Sequence, residues 1–128
     1  MKPFVELDAA NFDREIIEAH GLSLVCFYAA RSAASRNLQK ELSALAPALS
    51  ARLKLARLNV RKEQRLAASY HVRSAPALVL FRSGKAVETV SGNLPADALR
   101  AKLDFLLEQY APTDQERVPS APRGGAVP

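Results

Sequence analysis

The chain has a single cysteine and only two histidines in 128 residues. One cysteine, Cys26, excludes an intrachain disulfide, and with it any reaction that cycles two thiols of the same chain. Neither His20 nor His71 sits in a recognisable triad context, so hydrolysis through an activated serine is disfavoured. No metal and no cofactor is expected. No apolar run approaches a membrane span, and Met1–Leu7 is too short, and too broken by Pro3 and Glu6, to be a secretory signal. A cytoplasmic protein with no membrane contact is therefore expected. The basic residues have no aromatics interleaved with them, and no helix-turn-helix or RNA-binding signature is present, which makes nucleic acid a poor candidate partner.

Hydrophobic residues make up 48% of the chain, which is long enough for one domain with a real core. The net charge is +5 and the pI near 9.7. That balance admits an acidic partner without selecting one. Phe4–Leu7 alternates like a short strand, and Asp8 or Asn11 can cap a helix running to about His20, with Phe12, Ile16 and Ala19 inward and Gly21 as its stop. Leu22–Ala29 is almost continuously apolar, as a strand covered on both faces should be. From about Ala33 to Ala51, Leu38, Leu42, Leu45 and Leu49 form one helical stripe, with Pro47 expected to kink it. Leu53–Val60 reads as a strand, Arg61–Tyr70 as a short helix and Ala77–Phe81 as a buried strand. Arg82-Ser83-Gly84-Lys85 reads as a hairpin turn and Ala86–Ser91 as the returning strand. Pro95 and Asp97 open a last helix whose inner face is Leu99, Leu103, Leu106 and Tyr110. Helices that cross between strands support a parallel core, with an antiparallel edge added by the hairpin. Ala111–Pro128, with four prolines and two glycines, is expected to be a disordered tail after a domain over residues 1–110.

The stretch that organises the chain is Leu24–Arg36: a strand ending Phe27-Tyr28-Ala29, a small-residue turn, then a helix. Together with Leu58-Asn59, Arg73-Ser74-Ala75-Pro76, Phe81, Gly84 and Gly92, it resembles the thioredoxin-like family from about Phe4 to Leu107. The resemblance implies an α/β thioredoxin-like fold, a mixed central sheet of about five strands flanked by four helices. It also implies a Cys-Gly-Pro-Cys motif where this chain has Ser32-Ala33-Ala34-Ser35, and a helix proline where it has Lys40. Cysteine-to-serine engineering would account for two of these departures but not for Ala33-Ala34 or Arg31, which point to a naturally altered site. A serine hydroxyl forms no disulfide, so dithiol exchange at residues 32–35 is excluded, and Ser32 reads best as the cap of the helix.

In the family, Cys26 and Arg57 stand where a buried Asp and its Lys partner would be. Cys26 is read as a small core residue, Arg57 as a cation in need of an acceptor. Ala75-Pro76 resembles the family's cis-proline loop, whose backbone meets an extended peptide. From Arg31 to Arg73 there are ten Lys/Arg against two acids, Glu41 and Glu63. The expected peptide-binding groove comprises Arg31, Ser32, Ala33, Ala34, Arg36, Arg73, Ala75, Pro76, Gly92 and Asn93, with the arginines suited to an acidic segment. A solvated basic face that serves solubility is the competing account. The expectation is thus a redox-inactive thioredoxin-like protein and not an enzyme. It would bind protein as an adaptor, assembly factor or chaperone-like module. The alternative is an oxidoreductase-family protein with a residual redox role through Cys26.

Overall fold

Every residue of Leu22–Tyr28 (β2) is buried, and the two partners of this strand explain why. In the computed structural model, which describes residues 4–91 and 94–110, β2 lies at the centre of a five-stranded sheet. The other strands are Val5–Leu7 (β1), Lys54–Asn59 (β3), Ala77–Arg82 (β4) and Lys85–Ser91 (β5), in the order β1-β3-β2-β4-β5. β1 and β2 both run parallel to β3, while β4 is antiparallel to β2 and to β5. The antiparallel half therefore begins at the centre of the sheet, one strand earlier than the hairpin alone implied.

Successive residues of β2 face opposite sides of the sheet. Leu24, Cys26 and Tyr28 pack with Leu38, Leu42 and Leu49 of Ala33–Leu49 (α1) and with Leu99, Leu103 and Leu106 of Ala96–Gln109 (α3). Val25 and Phe27 pack on the other side with Phe12, Ile16, Phe81 and Ala67, the last from Gln64–Ser69 (α2). The leucine stripe of α1 is buried as expected, except that Leu45 is half-buried and Ala46 takes a core place. Pro47 sits close enough to the C-terminus that α1 continues to Leu49.

Two helices are shorter than their sequences suggest, for the same reason: polar side chains hold nearby backbone in turns. Asp8 Oδ1 accepts from the amides of Ala10 and Asn11, and Asn11 Oδ1 accepts from the Asp8 amide. The helical segment that follows is confined to Asp13–Ile17 and wound as a π-helix. Likewise Asn59 Oδ1 accepts from the amides of Arg61 and Lys62, and α2 starts only at Gln64. Such side-chain acceptors compete with the helix for backbone donors. The hairpin turn has positive φ at both Ser83 (48°) and Gly84 (86°), as a two-residue β-hairpin prefers. Residues 111–128, assigned to a tail, lie outside the described residues, as do Gly92 and Asn93.

Candidate functional site

After β2 the chain turns through Ala29–Arg31 into α1. The Ser32 amide donates to the Ala29 carbonyl at 3.0 Å. Ser32 is the N-cap of α1, and its hydroxyl oxygen accepts the Ser35 amide at 3.1 Å. Ser35 is fully buried, and its hydroxyl oxygen accepts the Ala29 amide at 3.0 Å. Both hydroxyls thus close backbone donors that the turn would otherwise leave open. His20 and His71 are both solvent-exposed, and neither is a hydrogen-bond partner of Ser32 among the described residues.

The Ala75–Pro76 loop lies at the same end of the sheet. Phe27 of β2 pairs with Ala77 of β4, so Pro76 stands one residue beyond that pair, beside the segment leading to Ser32. The Ala75–Pro76 peptide is cis. Pro76 is buried, Ala75 half-buried, and Arg73 exposed. Arg31 and Ala33 are exposed, while Ser32 and Ala34 are half-buried. The fold therefore brings residues 31–35 and 75–76 to one edge of the molecule.

It does not bring Arg36 and Arg73 into one hollow. Arg73 borders a cavity of about 240 Å³ with Val60, Gln64, Ala67, Val72 and Ala75. Arg36 borders a separate one of about 500 Å³ with Phe4, Tyr28, Gln39, Lys40 and Arg57. The two lie on opposite sides of the sheet because α1 and α2 do.

Cys26 and Arg57 face each other in register on β2 and β3. They are not a buried pair, however. Cys26 is 1% exposed, whereas the Arg57 side chain is 29% exposed and turned to polar partners. Its Nε donates to Glu6 Oε1 and its Nη1 to Gln39 Oε1 at 2.7 Å. Its guanidinium stands 5.1 Å from the centre of the Tyr28 ring, and the Tyr28 hydroxyl donates to Glu6 Oε2 at 2.8 Å. The need for an acceptor is met by Glu6, which the parallel register of β1 and β3 sets opposite Arg57. Sequence reasoning did not join Glu6, Tyr28 or Gln39 to Arg57. The available signal was a polar residue at the middle of each of two short strands, and only the pairing of those strands joins them. Burial pushes the Cys26 thiol up to about 12, with Arg57 acting weakly the other way. At neutral pH Cys26 is therefore a protonated, enclosed thiol, a poor nucleophile. Among the described residues no group of three or more His, Cys, Asp or Glu is placed to hold a metal ion. None of the helices described is long and apolar enough to cross a membrane.

A strand, a capped helix and a proline loop thus meet at one end of the sheet, and the sequence matches a family that can be named. The thioredoxin family pattern covers residues 3–105. The chain belongs to the thioredoxin family. It is 32% identical over 95 residues to a thioredoxin of Porphyra purpurea, covering 74% of this chain and 89% of that protein. It is 31% identical over 101 residues to thioredoxin 2 of Chlorobaculum tepidum, covering 79% and 93%. It is also 36% identical over 81 residues to protein disulfide-isomerase A6 of Mus musculus, covering 63% of this chain and 18% of that protein.

Thioredoxins are oxidoreductases, and this finding corrects the expectation that the chain is not an enzyme. Serines at residues 32 and 35 argue only against dithiol exchange between those two positions. They do not take a chain out of an enzyme family. In this thioredoxin-family member the Ser32 and Ser35 hydroxyls are both engaged with backbone amides.

Proposed function

We propose that this thioredoxin-family domain binds protein, serving as an adaptor, assembly factor or chaperone-like module that carries no dithiol of its own at the start of α1. A partner segment would lie extended along the Ala75–Pro76 loop beside Ser32, recognised through main-chain hydrogen bonds that need no sulfur. The observation that supports this reading is the shared end of the sheet, at one edge of the molecule: the register of Phe27 with Ala77 sets the proline loop next to the capped start of α1. Positive charge near that edge, at Arg31, Arg36 and Arg73, favours a partner with acidic residues.

The test is affinity capture from the source cell with wild type, Cys26→Ala and Ala75→Trp, alongside thiol-driven insulin reduction by the same three proteins. The reading expects partners retained by wild type and by Cys26→Ala, and lost when an indole covers the loop. Partners indifferent to Ala75→Trp, or insulin turnover that vanishes in Cys26→Ala, would overturn it.

A further inference from the structure

Arg36 and Lys40 stand one turn apart on α1 and line the same hollow, whose walls also include Gln39, Arg57, Tyr28 and Phe4. The helix gains nothing from either charge. Arg36 is the fourth residue of α1, near the positive end of the helix dipole, and the first turn carries no acidic residue to offset it. A spacing of four sets two cations side by side, which weakens a helix rather than supporting it. Neither residue takes part in an ion pair among the described residues. Among the described residues Arg36 reaches only the Ala30 carbonyl, at 3.4 Å. Among the described residues no carboxylate lines the hollow. Glu6, the acid of the neighbouring cluster, is held by Arg57 and Tyr28. Local rules broken without a local return mark a place where something outside the fold is expected to act.

We propose that this hollow seats carboxylates of an acidic, extended segment of a partner protein. Arg36 and Lys40 are the charged contacts. Arg57, ion-paired to Glu6 and bonded to Gln39, forms a rigid polar wall, and Gln39, whose oxygen is taken by Arg57, leaves its NH₂ group as a further donor. The ring of Phe4 gives an apolar surface for the stems of Glu side chains. Two cations besides the Glu6-paired Arg57 suit one or two carboxylates, whereas a nucleic acid draws its affinity from a long run of phosphate contacts. This inference rests on the protein-binding reading and locates its acidic contact on the α1 side of the sheet, apart from Arg73.

The probe is a fluorescein-labelled oligoglutamate peptide titrated into the full chain, read by anisotropy and by amide NMR shifts at low and high salt. Binding is expected to saturate, to weaken with salt, and to shift residues 36, 39 and 40. It is expected to fall roughly tenfold in the Arg36→Ala/Lys40→Ala double variant and by less than about twofold in Arg73→Ala. Both substituted side chains are on the surface, so the double variant should melt no lower than wild type. Absence of saturable binding, shifts spread over the whole basic surface, equal loss in Arg73→Ala, or tighter binding of an oligouridylate of matched charge would each overturn the proposal. Partners that are lost in Ala75→Trp yet indifferent to the double variant would overturn it while leaving the broader protein-binding reading in place.

Discussion

Ser32 and Ala29 are linked through Ser35: the Ser32 hydroxyl accepts the Ser35 amide, and the Ser35 hydroxyl accepts the Ala29 amide. The turn between β2 and α1 is thus closed by two side-chain oxygens at positions where the family resemblance calls for sulfur.

The cap predicts a modest, measurable dependence on Ser32. Ser32→Ala should lower stability by about 1 kcal/mol, as loss of an N-cap oxygen usually does, whereas Ser32→Asp should retain it. Ser35→Ala should cost more, about 1–3 kcal/mol, because it leaves a small void at a buried position and strands the half-buried Ala29 amide. Urea unfolding of the three variants checks the order.

Cys26 sets a limit on stability at high pH. Its folded thiol is raised from the ordinary value to about 12, so the native state holds its proton more tightly than the unfolded chain does. The resulting stabilisation is fully present below the unfolded thiol value and is lost as pH rises from there toward 12. Denaturation midpoints taken from pH 8 to 11 should therefore fall more steeply for wild type than for Cys26→Ala. At pH 8 the native thiol should also resist a disulfide reagent that labels it promptly in denaturant.

Glu6→Gln should remove the ion pair with Arg57 and also the carboxylate beside Tyr28. Burial first, and then the hydrogen bond and charge of Glu6, hold the Tyr28 hydroxyl above the ordinary range. Ultraviolet titration of the variant should show one tyrosine ionising at lower pH than in wild type. The stability loss should stay near or below about 1 kcal/mol, because the pair is partly exposed, and should shrink with salt.

Among the described residues two glycines have positive φ, and they should respond differently to a methyl group. At Gly84 (φ +86°) an added Cβ would stand 2.2 Å from the Ile17 carbonyl oxygen, a backbone atom. At Gly21 (φ +79°) it would meet nothing within 4 Å. Gly21→Ala should cost about 1–2 kcal/mol from backbone conformation alone, and Gly84→Ala distinctly more. Thermal melts of the pair separate strain from clash.

Much of this was readable from residue order. The seven buried residues of β2, the Ser32 cap, the Gly84 turn and the leucine stripe of α1 follow from local pattern, because a strand's period, a helix's period and a cap each need only a few neighbours. The first helix and α2 came out shorter than expected, since Asp8 and Asn59 draw backbone amides into turns that propensity alone does not reveal.

The sequence by itself determined the chemistry available: one thiol, two serines where the family resemblance places a cysteine pair, an excess of basic residues, and the order of strands and helices. The tertiary structure decided which of these groups meet. Parallel pairing of β1 with β3 put Glu6 against Arg57, leaving Cys26 enclosed among apolar side chains. The placement of α1 and α2 on opposite faces sent Arg36 and Arg73 to different hollows. Such meetings depend on strand register and on which face a helix covers, and these are fixed by contacts between residues far apart in the chain.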